Sequence, residues 1–122
     1  MRVLLDANAA LRYLLGDDPA MAEKTKQTIG FGAFLLPEVL AEIVYVLSGV
    51  YSVPRAELAK KLDGFLDEVQ CDQPAVLRKA LATYGAKKID FVDCLLLACH
   101  TELGDTVVTF DKGLRKLLDA SI

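Results

Sequence analysis

Four carboxylates fall where the surrounding chain is apolar: Asp6 after Arg2-Val3-Leu4-Leu5, Glu42 inside EVLAEIVYVL, Asp93 inside IDFVDCLLLA, and Asp111 after Thr106-Val107-Val108-Thr109-Phe110. Acids brought to one pocket repel one another and raise each other's pKa, unless a hard divalent cation binds between them. Mg2+ or Mn2+ held in this way coordinates phosphate oxygens, generates a hydroxide nucleophile and stabilises a departing oxygen, which is the chemistry of phosphodiester hydrolysis. Other chemistries lack their residues. His100 is the single histidine, with no cysteine or second histidine at zinc-ligand spacing and no serine or cysteine placed for it to activate.

Each acid also has a local reading. Asp90 and Asp93 open an apolar helix, where an acid at the N-cap and another in the first turn satisfy free N–H groups and suit the helix dipole. Glu38 serves the dipole of its own helix, and Asp17-Asp18 before Pro19 mark a turn. Glu42 stands apart, because Val39, Leu40, Ile43, Val44 and Leu47 outline an apolar helical face around it. A charge beside such a face is costly unless something pairs with it.

The elements that must position these acids alternate. Arg2–Leu5 reads as a short buried strand, followed by a helix from Ala7 to Leu15 that stops at Gly16. Residues 19–29 form a second helix, Ala33–Leu36 a second strand, and Pro37 begins a helix running to Ser48-Gly49. A helix from Pro54 to Glu68, a brief strand at Val69–Cys71 and a helix from Pro74 to Tyr84 come next. The IDFVDC helix, the strand Thr106–Phe110 and a short helix from about Gly113 complete the chain. Short apolar strands alternating with helices imply a parallel sheet covered on both faces, and in such sheets ligands bind beyond the carboxyl ends of the strands. Asp6 and Asp111 follow strands directly, Asp93 lies in the first turn of the helix before the last strand, and Glu42 interrupts the helix that begins at Pro37.

Length and composition agree with a single domain spanning residues 1–122. A chain of this size, 53% hydrophobic and 25% charged, can bury a core without a covalent staple. The longest apolar runs, such as Leu95–Cys99, are too short to span a bilayer, and Asp6 and Asn8 interrupt the N-terminal run, so neither a membrane segment nor a signal peptide is expected. Cys71, Cys94 and Cys99 have no CxxC spacing and read as thiols in a reducing cytoplasm. The net charge of −3 does not exclude a nucleic acid: setting four acids aside as a metal site leaves 13 of 17 facing 14 bases. Basic pairs at Lys60-Lys61, Arg78-Lys79, Lys87-Lys88 and Arg115-Lys116 read first as solvated helix faces.

The stretches VLLDANAALRYL, LPEVLAEIVYVLSG, IDFVDCLLLA and VVTFDKGL, in this order, resemble the motif set of the PIN-domain nucleases, most closely the VapC-type toxins of toxin–antitoxin pairs. The resemblance covers nearly the whole chain. It implies a three-layer α/β/α sandwich around a short parallel sheet, and endoribonuclease activity dependent on Mg2+ or Mn2+. Carried over position by position, it implies metal-binding acids at Asp6, Glu42, Asp93 and Asp111, with Asn8 and Thr109 supporting the first and last, and it makes Asp93 the ligand with Asp90 the cap or a supporting residue. Arg12, Lys87, Lys88 and Lys112 are candidates for RNA phosphate contacts. The implied partners are an RNA substrate, a protein antitoxin and a second copy of the chain. Residues 38–53, with Tyr45, Val46, Val50 and Tyr51, carry more apolar surface than one helix face can bury, which agrees with self-association.

Two other classes compete. A phosphoacceptor receiver domain has a similar length and an Asp after its first strand, but it needs an acidic pair there, whereas Asp6 has Leu5 and Ala7 as neighbours. A PIN fold without catalysis, acting as a binding module, is opposed by the presence of all four acids.

Overall fold

Asp6, Asp18 and Asp111 each turn the chain from an extended path into a helix by capping it. Asp6 Oδ1 accepts the N–H of Ala9 at 2.8 Å, Asp18 Oδ1 that of Met21 at 3.1 Å, and Asp111 Oδ1 that of Leu114 at 2.8 Å. In a computed structural model describing residues 1–121, seven helices follow from such local signals: α1 (Ala7–Leu15), α2 (Pro19–Phe31), α3 (Pro37–Gly49), α4 (Arg55–Leu66), α5 (Pro74–Ala86), α6 (Phe91–Leu103) and α7 (Lys112–Ala120). Proline occupies the first position of α2, α3 and α5, where its missing N–H costs nothing. Gly16 and Gly104 end α1 and α6 at φ 65° and 74°, a left-handed conformation that glycine adopts without strain.

Three extended segments run parallel, with Phe34 in the middle. Phe34 donates to Val3 O at 2.8 Å and accepts from Leu5 N at 3.1 Å, while Gln70 N donates to Ala33 O and Leu35 N to Gln70 O, both at 2.8 Å. The α1–α2 pair connects the first segment to the second, and α3–α4 connects the second to the third. The arrangement is therefore parallel α/β in connectivity. Its sheet is much shorter than the sequence implies: among the described residues the pairing consists of isolated bridges at Leu4–Phe34 and Phe34–Gln70, and no continuous strand forms. Helix α1 begins directly after Asp6 and α3 directly after Leu36, which leaves the extended stretches little length to pair.

The expected strand at Thr106–Phe110 is absent. Its backbone makes no bridge, Val107 alone is buried, and Val108 and Phe110 are 85% and 99% exposed. A parallel strand needs cover on both faces, and nothing lies over the outward side of this segment. Smaller corrections concern helix ends: α2 continues to Phe31, α4 stops at Leu66 and α5 continues to Ala86.

The main core joins Leu5, Leu35 and Val69 of the extended segments to Leu40, Ile43, Val44 and Leu47 of α3, Leu58, Leu62 and Phe65 of α4, Leu77 and Leu81 of α5, and Phe91 of α6. Helices α4 and α5 pack tightly at Gly85, where an added Cβ would lie 2.8 Å from that of Ala59. Glycine is needed there for space. A second, separate cluster joins Leu97 and Val107 to Leu114 and Leu118 of α7. Among the described residues no helix is long and apolar enough to cross a membrane.

Candidate active site

The first turn of α6 is held from a distance. Arg55, the first residue of α4, donates from Nη1 to the carbonyls of Tyr84 at 3.1 Å, Lys87 at 2.8 Å and Ile89 at 2.8 Å. Its guanidinium also lies 4.1 Å from the ring centroid of Tyr84, which meets Phe91 edge-on at 5.9 Å. One cation thus satisfies the end of α5 and fixes the loop that leads into α6. Nothing in the local pattern around Arg55 signals this, since its acceptors lie 29 to 34 residues away.

That loop and α7 enclose a cleft of about 310 Å³ containing Lys88, Asp90, Asp93 and Asp111, with Ile89, Leu114 and Leu117 as its apolar wall. The Asp93 carboxyl is pushed above the usual range, chiefly by burial and further by the negative charges of Asp111 and Asp90. From α3, Tyr45 faces the same acids; burial and the charge of Asp90 raise its phenol. Asp90 holds the N-cap position of α6 but makes no side-chain capping bond, so the expected cap is positional only and its carboxylate is left for the cleft.

Asp111 is doubly fixed. Its side chain caps α7, and its N–H donates to Thr109 Oγ1 at 3.1 Å. A Cβ at residue 113 would approach Asp111 Oδ1 to 3.3 Å, so Gly113 leaves room for the carboxylate.

Of the remaining candidates only Lys88 shares this cleft. Asp6 caps α1 and, with Asn8, Arg12 and Lys24, lines a different cleft between α1 and α2. Glu42 is exposed on α3, one turn before Tyr45, so its charge is solvated rather than pressed against the apolar face as the sequence suggested. Arg12 is engaged by Asp17 at 2.9 Å and by the Tyr51 hydroxyl at 3.4 Å, contacts that raise its pKa and compete with a phosphate role. Lys88 lines the acid cleft, Lys87 lines the neighbouring groove, and Lys112 is exposed at the start of α7. His100 Nδ1 lies 2.8 Å from the Asp105 carbonyl, a structural contact at the end of α6.

Among the described residues no three Asp, Glu, His or Cys side chains converge closely enough to form a complete metal cage. The pair Asp93 and Asp111, with Asp90 beside them, nevertheless has the donor chemistry of a hard cation. Mg2+ in particular keeps several waters and is bound through one or two carboxylates together with substrate phosphate.

Fold and cleft define an α/β protein with an acid-lined depression beside a helix N-terminus. The PIN domain family model matches residues 3–118, and the chain belongs to that family. PIN-domain proteins are generally nucleases that use divalent metals. No curated protein and no solved structure matches the chain.

Proposed function

We propose that this protein is an endoribonuclease dependent on Mg2+ or Mn2+, and the VapC-like toxin of a type II toxin–antitoxin pair. The observation that carries the reading is the shared cleft: Asp93 and Asp111, with Asp90 beside them, line one depression, and burial and the two neighbouring charges push the Asp93 carboxyl upward. Asp93 and Asp111 would hold the ion with Asp90 supporting them, whereas Asp6 and Glu42, the matching PIN motif positions, lie outside the lining of this cleft. A divalent ion bound there supplies positive charge to the phosphate and lowers the pKa of an attacking water.

The chain's own groups then have defined tasks. Asp111, held through both its side chain and its N–H, needs little reorganisation when substrate arrives. Lys88 offers a positive charge on the wall of the cleft, where a phosphodiester would otherwise meet only carboxylates. The apolar wall of Ile89, Leu114 and Leu117 excludes water from one side of the bond to be cut.

An antitoxin would inhibit by placing a basic side chain among these acids. Exposed Tyr45, Val50 and Tyr51 on α3 and the turn after it support homodimerisation. The test is cleavage of a fluorescently labelled structured RNA across a Mn2+ titration, with the oligomeric state followed by sedimentation on the same sample. Expected are Mn2+-dependent cleavage, its loss in EDTA, and a dimer. Binding of RNA without cleavage at any metal concentration would make the protein a binding module instead, and a monomer would remove the dimer.

A further inference from the structure

A second groove, of about 260 Å³, runs between α5, α6 and α7, with Lys79 and Lys87 on its wall and Leu97 and Leu117 on its floor. Leu117 also lines the acid cleft, so the two depressions adjoin across this side chain, a divided trough with Lys88 at the acid end. No carboxylate lines the second groove among the described residues, and neither lysine there is in an ion pair. Lys79 and Thr83 lie one turn apart on α5 and Lys87 is its extended C-cap, and all three line the groove, a span of roughly 12 Å. That reach exceeds one nucleotide step, about 3.4 Å along a strand axis.

The hydroxyls here are already committed as donors. Thr83 Oγ1 donates to Lys79 O at 3.1 Å and Thr101 Oγ1 to Ala98 O at 3.3 Å. With their protons turned to their own helices, both keep lone pairs free to accept. Phosphate has no proton to give them at neutral pH, whereas a ribose 2′-hydroxyl does.

We infer that the trough carries the RNA strand leading away from the cleavage point, with Lys79 and Lys87 on its phosphates, the leucine floor under its sugars or bases, and Thr83 and Thr101 accepting from 2′-hydroxyls so that RNA is preferred over DNA. The inference rests on the nuclease reading for its cleavage point, but its test does not need catalysis. Anisotropy of a fluorescein-labelled single-stranded RNA dodecamer and its 2′-deoxy counterpart is measured in EDTA over a range of salt.

Wild type is expected to bind the RNA more tightly than the DNA. K79Q/K87Q should lower the salt slope by about 1.4 and weaken both ligands roughly 25-fold at 0.1 M salt, the counterion release of two single-strand phosphate contacts. T83V/T101V should keep the slope and reduce RNA affinity to that of DNA. Equal binding of RNA and DNA by wild type would overturn the role of the threonines, and an unchanged slope in K79Q/K87Q would overturn the strand path. Failure of the nuclease reading looks different: the RNA preference and the salt slope persist while Mn2+ elicits no cleavage.

Discussion

An Asp93→Asn protein should cut RNA at least roughly 100-fold more slowly than wild type and yet melt at a higher temperature near neutral pH in EDTA. The first effect follows from removing the charge of a metal ligand, a loss no smaller than that seen for the groups that merely orient such ligands. The second follows from the sign of the Asp93 shift. Burial, Asp111 and Asp90 place its folded pKa above the ordinary carboxylate value, so the folded state binds the proton more tightly than the unfolded chain. Stability therefore falls as pH rises from the ordinary carboxylate value through the folded one, and the whole penalty is present above it. Asparagine removes the penalty, so the gain in melting temperature should appear at pH 7 and vanish in acid. Thermal melts at both pH values check this; an Asp93→Asn protein that is less stable at pH 7, or that cleaves at the wild-type rate, would exclude Asp93 as a strained acid of the catalytic centre.

Arg55→Met should be the most destabilising single change in the neighbourhood of the site. It strips three carbonyls of their donor and removes the cation from the Tyr84 ring. Hydrogen bonds from a charged group contribute about 1.5–3 kcal/mol each, but these share one nitrogen, so a total loss of about 3 kcal/mol is expected. For a chain of this length that lowers the melting temperature by roughly 12 °C. Activity should fall as well when assayed far below the melt, because the loop bearing Lys88 and Asp90 loses its anchor. Arg55→Lys keeps the charge but not the fork, and should fall between the two. A melt of Arg55→Met within a degree of wild type would mean the clamp does not hold the loop.

What the sequence made legible was whatever depends on neighbours in the chain. The prolines at 19, 37 and 74 and the glycine at 16 marked helix ends because their conformational preferences act locally. The apolar period of α3 correctly singled out Leu40, Ile43, Val44 and Leu47 as core. The same period set Glu42 beside that face as a charge in need of a partner, whereas it lies in solvent. The strand at Thr106–Phe110 failed for a related reason: β-branched composition favours an extended backbone, but pairing requires a neighbour and a covering layer that only the tertiary structure supplies. Of the four acids, the structure brings Asp93 and Asp111 into one cleft and leaves Asp6 and Glu42 outside its lining. Asp90 joins that pair because its capping bond is not made. Arg55 and Gly113 were invisible, since the first acts across about thirty residues and the second matters only through the carboxylate beside it.

The separate small core beneath α7 divides the site along a line of stability. Asp93 belongs to α6, whose first turn is rooted in the main core through Phe91 and Cys94. Asp111 belongs to a nine-residue helix whose buried anchors are Leu114 and Leu118, resting on Leu97 and Val107. Helices attached by so few apolar side chains open sub-globally, at a lower free energy than the domain unfolds. Each such excursion separates the two carboxylates while the rest of the fold stays intact. Warming should therefore silence the cleft below the temperature at which the helical signal collapses, with amide exchange in α7 running ahead of that in α4 and α5.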